Sequence, residues 1–193
     1  FLCFKTLPFL TTSSPFLNDD CLKINKNKSC TYITASVNTN LFFPINKYIN
    51  EEILTIGWTG TFSSMEYLKQ LNNVFLELSK KVEFKLRIIG NFKYLLPGIN
   101  LEVINWTKEK EVEDMQGIDI GVYPLPNNEW VFGKSGLKAI QYMAFGIPCV
   151  ASNIGNTPYV IKHRYNGILV KTEKEWVNSL KELIMDPKLR KDL

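Results

Sequence analysis

A chain of 193 residues, 45% hydrophobic and 22% charged, has the composition of a folded globular protein, long enough for one full domain and a piece of a second. Its formal charge of +4 is mild, and the lysines are scattered instead of massed in a stripe with interleaved aromatics, which argues against nucleic acid as a partner. No apolar run of about 18 residues is present to span a membrane, and Cys3, Cys21, Cys30 and Cys149 show no Cys-x-x-Cys spacing, so reduced thiols in a cytoplasmic protein are expected.

Residues 1–10 are apolar enough to mimic a signal sequence, but they read as interior sequence: no Met stands at position 1 and no polar lead-in precedes them. Residues 187–193 open a helical pattern with no cap or Gly beyond it. Both ends are therefore expected to be cuts through a longer protein. Residues 6–14, a helix from Pro15, and residues 30–37 predict strand, helix and strand, the remnant of a preceding domain. Residues 37–44 and the polar stretch 46–52 read as a linker, since Pro44 and the asparagines interrupt a central strand. The boundary is expected near Asn50, giving units 1–49 and 50–193.

From Glu52 onward strands alternate with helices. Residues 53–57 predict a short buried strand, followed by a helix in which Met65, Leu68, Leu71, Phe75 and Leu78 recur at helical spacing behind a Ser63–Glu66 capping box. Strands are expected over 84–89, 101–104 and 118–123, with a helix over 109–115. A helix over 136–145 stops at Gly146 and Pro148, ahead of strands at 148–151 and 168–170. Thr172 and Glu175 make a capping box for a last full helix that buries Trp176, Leu180, Leu183 and Ile184, and Asp186–Pro187 starts another. Serial alternation implies an α/β fold, a doubly wound parallel sheet covered on both faces. In such sheets ligands sit beyond the carboxyl ends of the strands, here the loops 57–64, 90–94, 106 and 124–136.

Three features of these loops bear on chemistry. Gly57, Trp58, Thr59, Gly60 and Thr61 join the first strand of the domain to its helix, where close backbone approach and helix N-terminal amides suit an anion; a tight turn that merely needs glycine is an equal reading. The run lacks the third glycine of a dinucleotide fingerprint. Gly133-Lys134-Ser135 lacks the glycine a P-loop needs at position 128, which is Asn. What remains is Lys134, Ser135, Gly136 and Lys138 at a helix start, where cations oppose the helix dipole unless an anion joins them, or else are solvated surface lysines. Lys134 and Lys138, four apart, can face one ligand. Gln141 follows one turn later among apolar neighbours, and a ligand hydroxyl is one candidate for its partner. His163 reads as a surface residue, and neither metal-ligand spacing nor a Ser-His-acid set is present.

The stretch from Gly117-Ile118-Asp119 through Tyr123-Pro124-Leu125-Pro126, and then from Gly133-Lys134-Ser135-Gly136 through Gln141-Tyr142-Met143-Ala144 to Ala151-Ser152, resembles the donor-binding half of GT-B glycosyltransferases of the group 1, family 4-like class. The likeness covers roughly Asn38 to the C-terminus. It implies a Rossmann-like C-terminal half of a GT-B fold, with most of an acceptor domain missing, and a fragment that does not turn over by itself. It further implies metal-independent, retaining transfer of a sugar from a nucleotide-diphosphate sugar, a substrate and not a cofactor, to a glycan, lipid or small-molecule acceptor. The residue 57–61 loop and the Lys134–Lys138 turn would hold the diphosphate, Gln141 the ribose, and the Trp106 loop the base. The enzyme would be cytoplasmic, meeting the inner membrane face through its absent half. The class commonly carries two glutamates where Gly133 and Gln141 stand, and Arg and Lys in the loop where Trp58 and Ser64 stand; Lys134 and Lys138 are expected to replace that charge. A nucleotide-sugar-binding domain that has lost catalysis and a sugar-nucleotide epimerase are the competing readings.

Overall fold

The computed structural model describes residues 2–45 and 53–193. The linker 46–52 and the boundary near Asn50 lie outside these residues. A short helix α1 (Leu2–Thr6) precedes β1 (Leu10–Thr12), α2 (Pro15–Ile24) and β2 (Cys30–Tyr32). The two strands are parallel neighbours in a sheet of their own, much shorter than the apolar runs around them suggest. Ser14 explains why α2 starts where it does: its hydroxyl accepts the Leu17 amide at 3.2 Å, one residue before the pre-organised φ of Pro15.

The main sheet has six parallel strands: β3 (Thr55–Thr59), β4 (Lys85–Ile89), β5 (Asn100–Ile104), β6 (Ile120–Tyr123), β7 (Cys149–Ser152) and β8 (Ile168–Val170). Their spatial order is β5-β4-β3-β6-β7-β8, so the chain builds outward from β3 in one direction and then reverses at β3/β6 to build in the other. This is the doubly wound arrangement that the alternation implied, with its switch point between β3 and β6. Each face has its own core. Ile56, Trp58, Leu86, Ile88, Ile120 and Val122 pack under α3 (Met65–Lys69), α4 (Asn72–Ser79) and α9 (Glu173–Met185). Ile118, Tyr123, Cys149 and Ala151 pack on the other face under α5 (Glu111–Gln116), α6 (Glu129–Phe132), α7 (Leu137–Ala144) and α8 (Thr157–Val160).

The differences from sequence expectation have local causes. β3 begins two residues later than the apolar run and ends at Thr59, so Gly57 and Trp58 belong to the strand and the loop starts at Gly60. Gly57 is a packing glycine: a Cβ there would meet the Ile118 side chain at 2.3 Å. The single helix expected over 65–78 is broken at Gln70–Leu71, where the Leu71 amide turns back to Leu68 at 2.9 Å; Met65, Leu68, Leu71, Phe75 and Leu78 are buried nonetheless. The Ser63–Glu66 capping box is not formed. Ser64 Oγ instead accepts the Thr61 amide at 3.0 Å and closes a 3₁₀ turn (Phe62–Ser64), while Glu66 pairs with Lys69 at 2.6 Å. The Thr172–Glu175 box is present as expected, and Asp186 caps α10 (Pro187–Asp192) through the Leu189 amide.

Candidate functional site

The carboxyl ends of β3 and β6 flank the switch point, where sheets of this kind form their ligand crevice, and the residues on its two walls are held by packing that leaves little freedom. On the β3 wall, Thr59 ends the strand, nine-tenths buried, and Gly60 follows with no room for a side chain: a Cβ would meet the Trp58 ring at 2.2 Å. Trp58 itself is sealed in the core, edge-on to Phe92, and is therefore a support for Gly60 and not a ligand-facing residue. Thr61, Ser63 and Ser64 crowd their hydroxyls into the next turn, with Thr61 Oγ1 2.9 Å from Ser63 Oγ.

On the β6 wall, Asn128 caps α6 by accepting the Val131 amide, and Gly133 continues its right-handed turn. Gly136 then adopts φ +78, which only glycine takes without strain, and α7 begins at Leu137 with no side chain capping its first amides. Those amides stand at the positive end of the helix dipole. The turn is fixed from behind by Asn156, buried at the start of α8, whose Nδ2 donates to the Ser135 carbonyl at 2.7 Å. Below it α7 is anchored to the sheet by Tyr142, whose hydroxyl donates to the Gly57 carbonyl at 3.2 Å and whose ring fills the space a side chain at Gly121 would need.

Lys134 and Lys138 stand half-buried on this turn, and among the described residues neither has a salt bridge. Burial, and then the like charge of Lys134, hold the Lys138 ammonium below the ordinary lysine range, with Glu111 opposing. Lys134 instead lies over the ring of Tyr67, from α3 on the opposite wall, 5.6 Å from its centroid. Gln141 is half-buried one turn further along α7. Lys134, Ser135, Gly136, Lys138 and Gln141 thus share one turn and the helix it starts, and Lys134 reaches across to Tyr67 of α3.

Trp106 lies elsewhere along the same edge. It is exposed and lines a cavity of about 750 Å³ at the ends of β4 and β5, with Phe92, Tyr94, Asn105 and Thr107. Tyr94 secures that cavity's lip by hydrogen bonding to Asn72 on α4, and burial pushes its phenol up to about 12. His163 is exposed, as read, and its Nδ1 accepts the Leu169 amide at 3.1 Å. Among the described residues no three His, Cys, Asp or Glu side chains are grouped to hold a metal ion. Sequence reasoning missed Tyr67 and Asn156. Tyr67 carries no signal within an amphipathic pattern, whereas Asn156-Thr157-Pro158 is a helix-start sequence that points to α8.

The family model described as "Glycosyl transferases group 1" matches residues 42–193. Among solved structures, the C-terminal domain of the glycosyl transferase group 1 family protein LpcC from Francisella tularensis matches with a TM-score of 0.64 at 20% identity, over 81% of this chain and 92% of that one. TarM matches with a TM-score of 0.73 at 16% identity, over 96% of this chain and 38% of its own. HepE from Anabaena, solved in complex with UDP and glucose, matches with a TM-score of 0.73 at 13% identity, over 96% of this chain and 55% of its own. The chain thus spans nearly all of a C-terminal domain but about half or less of the two longer proteins.

Proposed function

The chain belongs to the group 1 glycosyl transferases, and from that membership we propose that it forms the donor-binding part of an enzyme transferring a sugar from a nucleotide-diphosphate sugar. The observation that carries this reading is the pair Lys134 and Lys138, without salt bridges among the described residues, beside the uncapped amides of α7 at the sheet's switch point. Such a site suits the leaving diphosphate, whose developing charge needs donors already in place. We take the lysines and amides to supply that charge without a metal, Gln141 to bond the ribose, and the Trp106 cavity to receive the base. That one fold neighbour was solved with UDP supports a nucleotide donor in this class of fold. Retention of configuration, an acceptor of glycan, lipid or small-molecule kind, and a place in the cytoplasm at the inner membrane face belong to the same proposal; among the described residues no helix is long and apolar enough to cross a membrane.

One observation favours a second reading, a nucleotide-sugar-binding domain without catalysis. A Cβ at Gly133, where the class commonly has glutamate, would press on the Leu17 side chain of α2 at 3.3 Å, and glycine brings no carboxylate to this turn.

Calorimetric titration with UDP, GDP and their sugar conjugates tests the site. Binding is expected, and Lys134→Ala or Lys138→Ala should each weaken it at least about tenfold, as loss of a charged hydrogen bond does. Wild-type affinity in both variants would remove the diphosphate from this turn. Transfer of labelled sugar from a nucleotide sugar to any acceptor would exclude the second reading.

A further inference from the structure

Lys134 comes from the β6 wall of the crevice and Tyr67 from the β3 wall, so the contact between them crosses the gap at the switch point. It is also the kind of contact a phosphate-binding cation can keep. A carboxylate partner would neutralise Lys134 and compete with an anionic ligand, whereas an aromatic face attracts the ammonium through its quadrupole and leaves the charge in place. The salt bridges formed elsewhere show the alternative: Lys69, Lys80 and Lys85 each close on a glutamate within 3.1 Å. Tyr67 is well placed to act as such a support, because its ring is half-buried against the α7-side core that includes Tyr123 and Ala139.

We propose that Tyr67 is a positioning residue for the donor diphosphate: its ring holds the Lys134 ammonium in the crevice, charged and extended toward the ligand. The inference rests on the reading of this turn as the diphosphate site. It assigns Tyr67 no contact with the reacting atoms, and it requires the ring but not the hydroxyl.

The test uses the chain in hand with UDP, GDP and inorganic pyrophosphate as probes, titrated into wild type, Tyr67→Phe, Tyr67→Leu, Lys134→Ala and the Tyr67→Leu/Lys134→Ala pair. Tyr67→Phe should bind as wild type does, and Tyr67→Leu about threefold to thirtyfold more weakly, the span of an exposed to a desolvated cation–π contact. In the Lys134→Ala background the Tyr67→Leu change should have no further effect. Equal weakening in both backgrounds, or none in wild type, overturns the proposal. A ligand-free arm separates this from failure of the site itself. Ring current from Tyr67 should shift the Lys134 Hε resonances upfield in wild type and Tyr67→Phe and not in Tyr67→Leu. That shift without binding of any probe would sink the diphosphate reading, and its absence would sink the contact.

Discussion

Lys138 is the residue whose surroundings make the sharpest demand. It is held below the ordinary lysine range chiefly by burial and then by Lys134, so without ligand it gives up its proton at lower pH than a surface lysine. A diphosphate bound as proposed would favour the charged form, so its binding would draw a proton onto Lys138. Affinity should then be full while Lys138 is protonated and fall as pH rises through its lowered pKa. Lys138→Arg, which stays charged, should retain affinity at alkaline pH where wild type loses it; titrations from pH 7 to 10 check this, and parallel profiles would remove Lys138 from the ligand. At this scale the sequence was informative where helix physics applies, since cations at a helix start, four apart, can be recognised without a structure. It was silent where tertiary packing decides. Nothing about Gly57 and Trp58 distinguishes a loop from a strand end, yet Ile118 and Phe92 make both into core.

Among the elements, the β4–β5–α5 corner holds one carboxylate, Glu102, whose pairing ties it to acid stability. Arg87 binds Glu102 at 2.7 Å and the Asp114 carbonyl at 3.2 Å, and Lys85 reaches the same glutamate at 3.1 Å. Burial works to raise the Glu102 carboxyl, but hydrogen bonds from Arg87 and Lys85 outweigh it and hold the group below the usual range. Its contribution to stability is therefore present above the unfolded carboxylate pKa and lost as pH falls through the lowered folded value. Glu102→Gln should cost no more than about 1 kcal/mol at neutral pH, because the pair is partly exposed, and should flatten the acid limb of stability. Thermal melts from pH 3 to 7 measure both effects, and an unchanged acid limb would relieve Glu102 of this role. Elements with a strong period or cap were legible: β8 falls where expected, and Thr172 and Glu175 start α9 as read. The four-residue helices α6 and α8 were not, since neither is long enough to show a period.

For the molecule as a whole, alternation was enough to predict a doubly wound sheet, because right-handed crossovers leave few topologies for serial strands and helices. What alternation could not convey is how the first 45 residues touch the site. Phe16 on α2 stacks edge-on against Phe132 at 5.5 Å, Leu17 lies beside Gly133, and the Tyr32 hydroxyl stands 3.5 Å from Asn156 Oδ1. These contacts join residues more than a hundred positions apart and leave no local pattern. The Leu17–Gly133 contact also bears on the order in which mutations can succeed one another. A glutamate arriving at position 133 first needs Leu17 to give by a few tenths of an ångström, and because Leu17 is partly exposed Gly133→Glu should cost no more than about 1 kcal/mol. After Leu17→Ala the same substitution should be nearly neutral, a coupling that a double-mutant cycle of unfolding free energies would register. Additive effects would show instead that the glycine can be replaced freely. If the coupling holds, a lineage carrying this pair can acquire a carboxylate at position 133 by shortening the side chain at position 17 beforehand, and the reverse sequence of steps passes through a destabilised ancestor.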